Sequence, residues 1–146
     1  MDTITIQPVV YGTDLYDKAI ELRYDVLRKP LNMQYTPQQL LEEKEETHIV
    51  ALLQDTVIGV LLLKIINDNT IKMRQVAIAS TYQRAGIGTQ LVKFAEEYAT
   101  QHNYSIIELH ARDTAVNFYL KNKYEIVGDV FFEVSIPHYK MIKQLN

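Results

Sequence analysis

The chain has 146 residues, 47% hydrophobic and 23% charged, with a net charge of −3 near neutrality and no cysteine. Those values fit a single globular domain over residues 1–146 with a full core. They argue against a general binder of nucleic acid or anionic membranes, and they exclude disulfides, thiolate metal sites and cysteine nucleophiles. Met1–Ile6 carries no basic segment leading into an apolar run, and stretches such as Val57–Leu63 are far short of a membrane span. A cytoplasmic location is the expectation.

Thr3–Val9 alternates and is rich in β-branched residues, which predicts a strand. Asp14–Arg28 follows as a helix capped by Asp14, with Leu15, Ala19, Leu22, Tyr24, Val26 and Leu27 as its apolar residues. Pro30 ends it, because the residue before a proline is pushed out of helical geometry. Thr36-Pro37 opens a second, short helix through Leu41, with threonine as cap and proline at the first helical position. Thr47–Gln54 and Thr56–Ile66 read as a hairpin turning at Gln54-Asp55, and Asn67-Asp68-Asn69 turns into the next strand, Thr70–Ala79.

Gly86–Gln101 is an amphipathic helix with Ile87, Leu91, Phe94, Ala95 and Tyr98 on one face. Ser105–Ala111 is a strand, Asp113–Lys121 a short helix and Tyr124–Val130 a further strand. A loop within Phe131–Pro137 then leads to a closing strand, Tyr139–Leu145. No repeat, low-complexity segment or linker interrupts this order. The prediction is an α/β (α+β) arrangement, β-α-α-β-β-β-α-β-α-β-β, on a mixed, mostly antiparallel sheet.

Two segments break the regular patterns. In the fourth strand Ile71 and Met73 share one face, yet strict alternation puts Val76 and Ile78 on the other. A β-bulge near Arg74-Gln75 would explain the switch, splay the strand from a neighbour and free backbone groups for an amide-bearing ligand. A strand buried on both faces fits the same letters. The second segment is Gln83-Arg84-Ala85-Gly86-Ile87-Gly88-Thr89, where a strand hands over to a helix.

Free N–H groups, a positive helix end, two glycines and Arg84 make that segment a cradle for an anion such as a pyrophosphate. It lacks the Lys-Ser/Thr of a P-loop and the third glycine of a dinucleotide fingerprint. A plain glycine turn beside a solvated arginine is the other reading of the same residues.

Together with Val76-Ala77-Ile78 before it and Ala115-Val116-Asn117-Phe118-Tyr119 beyond it, this loop resembles the GNAT superfamily of acyl-CoA-dependent N-acetyltransferases. The resemblance follows the element order along nearly the whole chain and is specific from about Gln75 to Tyr124. It implies a GNAT-like fold with splayed central strands, acetyl-CoA as co-substrate and no metal. Gln83, Arg84, Ala85, Gly86, Ile87, Gly88 and Thr89 would hold the pyrophosphate. Val76, Ala77 and Ile78 would pair with pantetheine and supply an oxyanion donor.

Asn117 would face the cofactor arm, and Tyr119 would be the acid that protonates the departing CoA thiolate. The residues by themselves leave Tyr119 open between this role and that of a core aromatic. Glu108 and His110 alternate onto one face of their strand, and either can relay the amine proton, a chain of waters being the alternative.

Leu22–Leu31 and Phe132–His138 resemble a narrower group, the ElaA-type acyltransferases. That resemblance implies that Arg23, Arg28, Glu133 and His138 line the acceptor side; a basic helix end and ordinary loop polarity are the plain alternatives. Lys123 stands where the family's Gly-Phe pair has glycine, which predicts a different helix exit, and Ser135 replaces the glycine before Ile-Pro-His. The expected function is direct acetyl transfer from acetyl-CoA to an amine, with a lean to small molecules, and a homodimer through a C-terminal strand edge is compatible with it. A non-catalytic acyl-CoA-binding or sensing domain is the alternative. A nucleotide-binding oxidoreductase module is disfavoured by the missing glycine and the antiparallel context.

Overall fold

Seven strands form one sheet in the computed structural model, which describes residues 3–83 and 85–145. In chain order they are β1 (Ile4–Val9), β2 (Thr47–Leu53), β3 (Thr56–Ile65), β4 (Thr70–Ile78), β5 (Ile106–Arg112), β6 (Glu125–Glu133) and β7 (Ile136–Gln144). They lie side by side as β1-β2-β3-β4-β5-β7-β6, and β4–β5 is the one parallel pair among them. The helices are α1 (Asp14–Arg23), α2 (Pro37–Glu42), α3 (Ile87–Gln101) and α4 (Val116–Lys121). The order of elements is the one the sequence predicts.

The buried stripe of α3, including Leu91, Ala95 and Ala99, packs on Ile49, Leu61, Met73 and Leu109 of the sheet. Neighbouring strand positions Val50, Val60 and Ala77 point the other way and meet Tyr16 and Ala19 of α1. The central strands are therefore covered on both faces, which is why β3 reads as a continuous apolar run. Gly59 lets α3 sit close, since a Cβ there would stand 2.7 Å from Leu91 Cδ1.

Three expectations need correction. The cap of α1 is Thr13 rather than Asp14, its side chain accepting from the Tyr16 N–H at 3.2 Å. The regular helix also stops at Arg23, not Arg28; a wider π turn over Tyr24–Arg28 and a tight turn over Lys29–Leu31 continue it. Such a turn shifts the helical phase, and here it brings Leu27 and Arg28 to the cavity described below. The loop within Phe131–Pro137 is a two-residue hairpin turn, Val134 and Ser135 at φ 45° and 63°, so β6 runs on to Glu133 and β7 begins at Ile136, not at Val130 and Tyr139 as expected. Paired left-handed residues match the twist of the flanking strands, and they favour glycine where this chain has Ser135.

At the exit from α4 a lysine occupies the left-handed position that glycine favours. Lys123 adopts φ 74°, and the N–H groups of Lys123 and Tyr124 donate to the Leu120 and Tyr119 carbonyls, each at 3.0 Å. These are the closing bonds of a left-handed helix cap, made with a side chain that strains the backbone by about 1–2 kcal/mol. Part of that strain is offset by the greater freedom of an unfolded glycine. Lys123→Gly should therefore stabilise the fold by about 0.5–1 kcal/mol, read as a higher urea midpoint at unchanged slope; a lower midpoint contradicts the strain.

Candidate active site

Strands β4 and β5 run together only where Thr70–Met73 pairs with Ile106–Leu109. Beyond that point β4 follows β3, β5 follows β7, and the two diverge. On β3, Val60 and Leu62 are two positions apart, whereas their partners on β4, Ala77 and Arg74, are three apart. The extra residue is absorbed at Gln75, which has φ 53°. The bulge that the broken alternation predicts is present, and it turns Ile71, Met73, Val76 and Ile78 all toward the α3 core.

The Gln75 side chain is held in place. Its Oε1 accepts from the Tyr35 hydroxyl at 2.6 Å and from Arg23 Nη2 at 3.3 Å. Arg23 is fully buried, its Nη2 2.9 Å from Glu43 Oε1 and 3.0 Å from Oε2. Its guanidinium lies 4.7 Å from the centre of the Tyr35 ring. One buried ion pair thus ties α1 and the end of α2 to the bulge.

Between the diverging strands lies a cavity of about 300 Å³. Arg74, Gln75 and Val76 line one wall and His110, Ala111 and Arg112 the other, with Tyr119 of α4 and Glu133 and His138 of the β6–β7 hairpin completing it. Tyr119 is 6% exposed and sits edge-on to Phe118 and Tyr124 at 5.0 and 5.7 Å. Burial raises its pKa well above the usual tyrosine range, so the phenol stays protonated.

His110 Nδ1 lies 2.9 Å from Glu133 Oε1 and 3.5 Å from Lys72 Nζ. With the ring proton on Nδ1, facing the carboxylate, Nε2 keeps its lone pair. Burial, followed by the charge of Arg74, lowers the pKa of Lys72. His138 is buried, its Nδ1 2.7 Å from the Ile136 carbonyl and its register partner Arg112.

Of the other predicted residues, Arg28 reaches the cavity and the rest fall elsewhere. Glu108 shares the sheet face of His110 but lies within the paired register, between Lys72 and Ile142, and does not line the cavity. Arg28 lines it, whereas Arg23 is taken up by Glu43 and does not. Asn117 is exposed on α4, away from the cavity. Gly86 caps α3 at φ 82° without a capping side chain, so the first-turn N–H groups of Ile87, Gly88 and Thr89 are not claimed that way.

A Cβ on Gly86 would meet nothing within 4 Å, whereas one on Gly88 would stand 3.2 Å from the Phe118 ring. Gly86 therefore serves backbone geometry, and Gly88 admits α4. Ala85 is exposed, and the Gln83 side chain donates to the Ile78 carbonyl at 3.1 Å, engaging the end of the strand expected to meet pantetheine. Arg84 lies outside the described residues. Among the described residues no group of three or more His, Asp or Glu side chains is placed to hold a metal ion.

Sequence reading missed Lys72, Arg74, Gln75 and Arg112 as cavity residues. Arg112 was within reach. It continues the alternation of Glu108 and His110, but the predicted strand stops one residue short, at Ala111.

Residues 12–124 match the acetyltransferase (GNAT) family, and the chain belongs to it. A Bacillus subtilis (strain 168) protein provisionally designated an acetyltransferase is 30% identical over 97 residues, 66% of this chain and 65% of its own length. The YyaT protein of the same organism is 28% identical over 99 residues, 68% of this chain and 66% of its own. The chain thus spans just under two thirds of the length of these two relatives.

Solved structures share the fold over nearly the full length. A Lactobacillus plantarum protein provisionally designated an N-acetyltransferase superposes with TM-score 0.87 at 26% identity, covering 99% of both chains. Escherichia coli ElaA gives 0.80 at 20% identity, covering 99% of this chain and 100% of its own. A GNAT family acetyltransferase from Elizabethkingia anophelis, with acetyl-CoA bound, gives 0.72 at 21% identity over 99% of this chain and 100% of its own.

Glu43→Gln leaves the fully buried Arg23 guanidinium without its counter-charge. Unfolding in urea should show a loss of about 3–5 kcal/mol. A loss below about 1 kcal/mol, the scale of an exposed pair, contradicts the role given to this pair.

Proposed function

We propose that the protein transfers an acetyl group from acetyl-CoA to the amine of a small acceptor by direct attack. The observation that carries the proposal is the divergence of β4 and β5 around a cavity that Tyr119 and His110 both line. The uncapped start of α3 follows directly on β4 and its short connecting turns. The acetyl-CoA bound in the Elizabethkingia anophelis neighbour supports the choice of co-substrate.

In this reading the N–H groups at the start of α3, with Arg84, hold the pyrophosphate. The freed backbone of Val76–Ile78 pairs with pantetheine, Gln83 giving up its bond to Ile78, and Asn117 faces the outer part of the arm. The amine nitrogen attacks the thioester carbonyl carbon; the C–N bond forms and the C–S bond breaks. His110 Nε2 takes the surplus amine proton while Glu133 holds the ring through Nδ1. The Tyr119 hydroxyl gives its proton to the departing thiolate sulfur. Arg28 and His138 face the acceptor, and Glu108 takes no direct part.

The proposal extends to a cytoplasmic homodimer; the C-terminal strand β7 lies between β5 and β6 and offers no edge, so the pairing edge is β6, where Val130 and Phe132 are exposed.

Saturating acetyl-CoA should raise the melting temperature where NAD and ATP do not. Tyr119→Phe should lower kcat by about 100-fold while keeping that thermal shift. An unchanged kcat removes the acid role. Stabilisation by acetyl-CoA with no transfer to any amine favours an acyl-CoA-sensing domain instead.

A further inference from the structure

We propose that the acceptor is a small amine that also carries an anionic group, a carboxylate or a phosphate, held by Arg28 and Arg112. This rests on the acetyl-transfer reading and narrows its acceptor. The chain as a whole has more acidic than basic residues, 18 against 15. The cavity reverses that balance. Arg28, Lys72, Arg74 and Arg112 line it, with Glu133 as the carboxylate among its lining residues.

Two of these charges are already spoken for. Arg74 Nη1 donates to both carboxylate oxygens of Glu46, at 2.7 and 2.8 Å, and Glu133 is bonded to His110. Among the described residues, Arg28, Lys72 and Arg112 have no carboxylate in ion-pair contact. Arg28 Nε is buried without a hydrogen-bond partner, and the guanidinium stacks 4.7 Å from the Tyr35 ring centre. Among the described residues, Arg112 Nη2 donates to the Leu27 carbonyl, at 3.4 Å. That contact also brings β5 up to the π turn, beside Arg28.

Like charges gathered around one cavity favour an anionic group there over a neutral or cationic one. Guanidinium groups suit this role because their forked donors match carboxylate and phosphate oxygens. A polycationic acceptor would be repelled. The phosphates of the co-substrate do not account for the cluster, because none of Gln83 and residues 85–89 lines the cavity. His110 lines the same space, so one small molecule can present its amine to Nε2 and its anion to the arginines. The acyl end of the co-substrate, beside Val76 and Tyr119, takes part of the 300 Å³, so the remainder suits only a small acceptor.

The test measures acetylation of matched amines: β-alanine against β-alaninamide, phosphoethanolamine against ethanolamine, and spermidine. The anionic member of at least one pair should lead its partner and spermidine by about tenfold or more in kcat/KM, and the pair that does so tells carboxylate from phosphate. Arg112→Gln should raise KM for that amine about tenfold to a hundredfold at unchanged KM for acetyl-CoA, with Arg112→Lys recovering part of the loss. Preference for the neutral or polycationic amines, no use of any anionic amine, or a rise confined to the KM for acetyl-CoA overturns the acceptor class. Failure of acetyl-CoA to bind in the same preparation overturns the transfer reading itself.

Discussion

A single extra residue in β4 governs the rest of this structure. Two adjacent parallel strands ordinarily stay paired, because each separated N–H and C=O needs another partner. At Gln75 the chain gives up that pairing and accepts a left-handed backbone as well, a strain of about 1–2 kcal/mol. In return Ile71, Met73, Val76 and Ile78 all face the α3 core. Full burial of such a side chain contributes about 1.5–3 kcal/mol; Val76 and Ile78, the two that the bulge redirects, are half-buried, enough together to offset the local strain. Without the bulge Val76 and Ile78 would turn away from α3, and β4 would have no reason to leave β5.

The same divergence separates a dry face from a charged one. On the α3 side the strands present Met73, Leu109 and Ala111 to a continuous apolar core. One position away along β5, Glu108, His110 and Arg112 share the opposite face by simple alternation. Only the two beyond the last β4 pair, His110 and Arg112, line the opening; Glu108 stays inside the ladder. Tyr119 reaches the cavity from α4, whose position depends on Gly88 admitting the Phe118 ring. Chemistry here is assigned by where pairing stops.

Most of the fold was legible because its signals are local. Thr36-Pro37 announced α2, and the structure shows the full reciprocal cap with Gln39. The failed alternation at Val76 announced the bulge. What escaped depended on contacts distant in sequence. Nothing near Arg23 shows that it will be buried against Glu43, twenty positions on, so it read as an acceptor residue. Glu133 and His110 lie on different strands, and their bond appears only once β7 is inserted between β5 and β6. The left-handed geometry of Lys123 escaped for another reason: it is imposed by the cap around it, against the residue's own preference.

On the proposed reading, the part of β4 beyond the bulge is kept free of β5 in order to pair with an acyl-CoA. Amide hydrogen exchange with and without acetyl-CoA tests it directly. Exchange should slow at Val76–Ile78 and at residues 86–89, with little change at Thr70–Met73, where β5 already completes the ladder. Unchanged exchange at Val76–Ile78 under saturating acetyl-CoA would contradict it.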